Sequence, residues 1–87
     1  MKPLELLDHY LDQKPIIAIL RGVTPEQVVD VAEIMVATGI KVIEVPLNSP
    51  RAFDSIQILV KYFGDAALFG AGTVLDPSDV GRVHDCG

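Results

Sequence analysis

The sequence holds one cysteine, no tryptophan and seven basic residues against twelve acidic ones, and each shortage removes a class of protein. A lone Cys86 cannot form an intrachain disulfide, so a disulfide-stapled secreted scaffold is excluded and a reducing compartment is implied. With a formal charge of −5 and no basic run, nothing neutralises a row of phosphates, which argues against nucleic acid and anionic membrane as partners. A small anionic substrate stays open, since it needs only one or two local donors. No stretch approaches the ~18 apolar residues of a membrane span. The opening "MKPLELLDHYLDQK" is acidic and lacks a small-residue cleavage site, unlike a signal peptide. A cytoplasmic protein is expected. His9 and His84 are single and far apart and Cys86 stands alone, so no metal site and no cofactor are expected.

What is present is aliphatic. Apolar residues make up 49% and aromatics 6%, a balance suited to helices packed on a sheet and too hydrophobic for a disordered chain. One pattern occurs three times, as "PIIAILRGVTPEQ", "KVIEVPLNSPRA" and "ALFGAGTVLDPSD". Each is an apolar run, a short turn, and then Thr24-Pro25, Ser49-Pro50 or Asp76-Pro77. Thr, Ser and Asp accept the free N–H groups of a first helical turn, and proline at the next position lacks the donor that would go unsatisfied. Gln27, three residues after Thr24, suggests a capping box. Helical periodicity follows in Val28, Val31, Ala32 and Met35, and again in Ile56, Leu59, Val60 and Phe63, with stops expected near Gly39 and Gly64.

The order is therefore a short amphipathic helix over residues 1–13, with Leu4, Leu7 and Leu11 on one face, and three βα units over 14–87. The strands "IIAIL", "VIEVPL" and "ALFGAGTV" are near-continuous apolar runs, as in parallel strands covered on both faces. The three prolines stand 25 and 27 residues apart. Eight units of about 26 residues would total roughly 210, the size of a (β/α)₈ barrel. The expected fold is α/β: the N-terminal (βα)₃ portion of a single TIM-barrel domain, because three units cannot close a barrel. A complete three-stranded α/β domain is the alternative, and a non-catalytic module assembling through its open edges is the corresponding alternative in function.

Ligands of parallel α/β structures bind at the carboxyl ends of the strands. Arg21 ends the first strand, Glu44 lies in the second half of the next with Asn48 just beyond, and Thr73 follows Gly70-Ala71-Gly72 near the end of the third. Alternation puts Val42, Glu44 and Pro46 on one face and Ile43, Val45 and Leu47 on the other. Outer helices need the aliphatic set, so Glu44 should face the barrel interior, where it is a candidate general acid/base. A structural Glu44–Arg21 ion pair is the competing expectation. "GAGTV" is not a dinucleotide fingerprint, because Leu75 occupies the place of the third glycine. Its glycines instead suit close approach of a substrate or a neighbouring strand.

"IAILRG", "IEVPLNSP" and "GAGTVL", in this order and spacing, closely resemble the N-terminal part of the 2-keto-3-deoxy-6-phosphogluconate aldolase family. Within it, "LNSP" after the glutamate looks like the branch acting on the galactonate-derived epimer, where phosphogluconate enzymes carry Arg-Thr. The resemblance implies a trimeric (β/α)₈ barrel and a metal-free class I aldolase. Its substrate is a phosphorylated 2-keto-3-deoxy sugar acid, cleaved to pyruvate and glyceraldehyde 3-phosphate. It further implies that Glu44 is the acid/base glutamate, that Arg21 and Thr73 help hold the substrate, and that Asn48 reads the sugar-chain hydroxyls. The Schiff-base lysine and the phosphate-binding loops of the resembled family lie beyond Gly87. Lys14, Lys41 and Lys61 are poor substitutes for that lysine by position, so these 87 residues alone are expected to be inactive.

Overall fold

The computed structural model describes residues 2–87. Helix α1 (Pro3–Gln13) leads into β1 (Ala18–Ile19), α2 (Val28–Ala37), β2 (Val42–Pro46), α3 (Ala52–Phe63), a 3₁₀ turn (Gly64–Ala66), β3 (Leu68–Gly72) and α4 (Pro77–Asp85). The strands form one parallel sheet in the order β1-β2-β3. The expected α/β architecture of an N-terminal helix followed by three βα units is what the chain adopts.

The helix faces fall where the periodicity predicts. Val28 and Ala32 of α2 and Ile56 and Leu59 of α3 are buried against Ile43 and Val45 of β2 and Phe69 of β3, with Val31, Met35, Val60 and Phe63 packed around them. Burying an aliphatic side chain of this size contributes about 1.5–3 kcal/mol, which makes this layer the main source of stability. Gly39 (φ +90°) and Gly64 (φ +54°) end α2 and α3 in conformations strained for a residue with a Cβ, as expected of C-terminal stops. On α1 the packed side differs slightly from expectation: Tyr10 is buried with Leu6, Leu7 and Leu11 half-buried, while Leu4 is exposed. The Tyr10 hydroxyl donates to the Asp65 carbonyl at 2.5 Å, which pins α1 across the amino ends of the strands.

Two of the three helix starts depart from the sequence pattern. Asp76 caps α4 as expected, accepting from Ser78 N–H at 3.0 Å with Pro77 in the first turn. Thr24-Pro25 does not open α2, because Thr24 to Gln27 closes a separate turn (Gln27 N–H to Thr24 O, 3.0 Å) and the helix begins at Val28. Only half of the capping box survives, with Gln27 Oε1 3.5 Å from Thr24 N and accepting from its hydroxyl at 3.2 Å. Ser49-Pro50 does not open α3 either. Arg51 stands between, at φ +46°, and is gripped by Glu26 through contacts of 2.5 and 2.7 Å from Nη2. That grip holds the Glu26 carboxyl below its usual range.

β1 is far shorter than the run "IIAIL", although Leu20 N–H still reaches the Glu44 carbonyl at 2.9 Å. It has a partner on one side only, as does β3. The face of the sheet away from the helices carries Ile17 and Ile19, 51% and 56% exposed.

Candidate active site

Glu44 and its neighbours on β2 settle which way the carboxylate points. Ile43 and Val45 enter the core under the helices, so alternation sends Glu44 to the opposite, inner face. Its position pairs with Gly70, and Pro46 pairs with Gly72. The side chain leans toward the carboxyl end of the sheet and lies over Gly72: a Cβ built there would stand 2.5 Å from Glu44 Cδ, 2.9 Å from Oε1 and nearer still to Oε2. The expectation of close approach thus holds at Gly72, where the neighbouring strand's carboxylate comes in, and not at Gly70, which has nothing within 4 Å of where its Cβ would be. Below it an open cleft of about 320 Å³, lined by Leu7, Ile17, Val42, Leu68 and Gly70 among others, reaches down to α1. A second cleft of similar size, between α1 and the 3₁₀ turn, shares Leu68 with the first but is not lined by Glu44.

Oε2 of Glu44 is buried and makes no hydrogen bond within the protein. Buried carboxylate oxygens are normally satisfied, so an orphaned one at a strand's carboxyl end calls for a ligand or a water. The alternative of a structural pair with Arg21 is not realised. Arg21 instead directs Nη2 to Thr73 Oγ1 at 3.3 Å, spanning the ends of β1 and β3 across β2. Thr73, just past β3, sits at φ +54°, a left-handed conformation uncommon for a β-branched residue and typical of functional sites. Arg21 and Thr73 are both exposed, leaving a guanidinium and a hydroxyl open to an anion beside the glutamate.

Asn48 lies exposed in the turn after β2, at the same end of the sheet. The residue after it, expected from the sequence to cap a helix, has another partner. Ser49 is 6% exposed, and its hydroxyl accepts from Gly22 N–H at 3.0 Å instead of capping α3. The lysines are placed elsewhere: Lys14 donates to Thr38 O at the end of α2, Lys41 precedes β2 with its ammonium 5.6 Å from the Tyr10 ring, and Lys61 is exposed on α3. Among the described residues no group of three His, Cys, Asp or Glu side chains is placed to hold a metal ion. No helix among them is long and apolar enough to cross a membrane.

An inward carboxylate at the carboxyl end of parallel strands, beside an arginine–threonine pair, defines a βα-barrel type of site. The sequence model described as "KDPG and KHG aldolase" matches residues 7–87, and the chain belongs to that family. It is 47% identical over 75 residues to the probable 2-dehydro-3-deoxy-6-phosphogalactonate aldolase of Rhizobium meliloti (strain 1021), covering 86% of this chain and 35% of that protein. It is also 47% identical over 66 residues to the 2-dehydro-3-deoxy-6-phosphogalactonate aldolase of Escherichia coli (strain K12), covering 76% of this chain and 32% of the relative. Among solved structures, a native KDPGal structure superposes with a TM-score of 0.81 at 44% identity, over 84% of this chain and 35% of that one. The 2-keto-3-deoxy-6-phosphogluconate aldolase of Zymomonas mobilis ATCC 29191 gives 0.79 at 31% identity, over 92% and 38%. The chain thus spans about a third of the length of the relatives it matches.

Proposed function

We propose that this chain forms the opening (βα)₃ part of a class I aldolase that cleaves 2-dehydro-3-deoxy-6-phosphogalactonate to pyruvate and glyceraldehyde 3-phosphate. The observation that carries the reading is the Glu44 carboxylate, aimed to the inner face with one buried oxygen unpartnered. The exposed inner residues Ile17 and Ile19 and the open edges of β1 and β3 support continuation into a closed barrel. On this reading a lysine outside these residues forms an imine with the substrate ketone. The C3–C4 bond then breaks, and its electrons pass into the protonated imine to give an enamine.

Glu44 accepts the C4 hydroxyl proton and returns protons during imine formation and hydrolysis, working through water. Arg21 and Thr73 hold the pyruvyl carboxylate, and Asn48 reads the sugar hydroxyls. The names of the relatives at 47% identity support the galactonate-derived epimer. Relatives named KHG/KDPG aldolase are 34% identical, and their substrates are the second choice. A homotrimer in the cytoplasm completes the proposal.

In the full-length enzyme, Glu44→Gln should lower turnover by about 10²–10⁴-fold while circular dichroism stays native. Retained turnover would remove Glu44 from the chemistry. Incubation with pyruvate and borohydride, read by intact mass, should leave a pyruvate-sized adduct on the full-length protein. Turnover on the two C4 epimers then decides the branch.

A further inference from the structure

We propose that Ser49 is a positioning residue for Arg21, an inference that rests on the substrate-holding role given to Arg21 above. Arg21 and Gly22 form a turn at the carboxyl end of β1 with little else to hold it. Both are exposed, and Gly22 sits at φ +81° with nothing within 4 Å of where its Cβ would be. Among the described residues, the hydrogen bond that ties this turn's backbone to a distant part of the chain is Gly22 N–H to Ser49 Oγ at 3.0 Å, from a residue 27 positions away. Ser49 itself is buried, so the hydroxyl does not wander with solvent as an exposed serine would.

The bond lies one peptide from the arginine. The arginine's own contact, to Thr73 Oγ1 at 3.3 Å, is long and exposed, and it cannot fix the side chain unless the backbone beneath is already placed. The turns after β1, β2 and β3 are therefore tied in series: Ser49 holds the Arg21–Gly22 turn, and Arg21 reaches Thr73. Adjacent residues of "NS" take different duties, with Asn48 turned to solvent and Ser49 turned into the framework.

The test is a double-mutant cycle in the full-length enzyme, read as KM and kcat for the cleavage reaction together with the thermal midpoint. Ser49→Ala is expected to raise KM by about 3- to 10-fold, the effect of losing one neutral hydrogen bond, with kcat within about threefold of the parent. Ser49→Thr, which keeps the hydroxyl, is expected to restore most of the loss. In an Arg21→Ala background, Ser49→Ala is expected to add nothing, because the group it positions is gone. Additive effects in the double mutant overturn the inference, as does a loss of folded enzyme or of kcat in Ser49→Ala. Should Arg21→Ala alone leave KM unchanged, the role of Arg21 itself falls. An additive cycle on top of a raised KM for Arg21→Ala removes only the part assigned to Ser49.

Discussion

Replacing Gly72 with alanine separates the geometry of Glu44 from its mere presence. The added Cβ would stand 2.5 Å from Glu44 Cδ and 2.9 Å from Oε1, and closer still to Oε2, where real Cβ contacts essentially never fall below 3.0 Å. Gly72 does not have a positive φ, so alanine suits its backbone and the whole conflict falls on the carboxylate. That carboxylate ends a flexible side chain, so it yields by rotation, and Oε2 must retreat by more than about 1 Å. A shift of that size in a catalytic group costs on the order of 10²-fold in rate. The fold has little reason to notice, because alanine at a backbone conformation it can adopt loses less entropy on folding than glycine.

The expected outcome for Gly72→Ala in the full-length enzyme is a fall in kcat of about 10²-fold with a thermal midpoint near that of the parent. Steady-state cleavage kinetics and a melting curve on the same preparation provide both numbers. Full activity would show that the carboxylate works from a different position, and the argument from its present geometry would fail. A collapse in stability would instead mean that the glycine serves packing.

Leu59 is fully buried between α3 and the sheet, so Leu59→Ala should cost about 2–5 kcal/mol in a denaturant titration, whereas Leu4→Ala, at an exposed position, should leave the midpoint unchanged. The Asp76 carboxylate accepts the Ser78 backbone N–H and then its hydroxyl, and these bonds hold its pKa below the ordinary aspartate value. A carboxyl depressed in the folded state stabilises above its unfolded pKa, and the contribution is lost as pH falls through the folded one. The Ser78 amide should accordingly show acid titration with a midpoint below that of a free aspartate, and a midpoint at or above it would contradict the cap. Arg51→Ala releases an exposed ion pair with Glu26, so its thermal midpoint should differ little from the parent at moderate salt. A large loss there would show that the left-handed Arg51 conformation depends on that grip.

The sequence determined a good deal by periodicity alone. A repeat of apolar run, turn and amphipathic helix has one economical packing, so three parallel βα units follow, with Val28, Ala32, Ile56 and Leu59 inward. Alternation along "VIEVPL" likewise forced Glu44 away from the helices, since only the other face was wholly aliphatic. The resemblance carried in "ILRG", "IEVPLNSP" and "GAGT" agrees with the family the chain belongs to.

Other features depend on residues far apart in the chain, and local pattern could not supply them. "SP" and "TP" read as helix starts because capping chemistry is local. Ser49, however, spends its hydroxyl on Gly22, and Thr24 closes a turn of its own. The place of the Glu44 carboxylate over Gly72 depends on the register of β2 against β3, and the reach of Arg21 to Thr73 in place of Glu44 on the registers of both β1 and β3 against β2. Periodicity fixes which face a side chain takes. The distance between side chains on that face is set only when the strands lie side by side, and the candidate site is made of those distances.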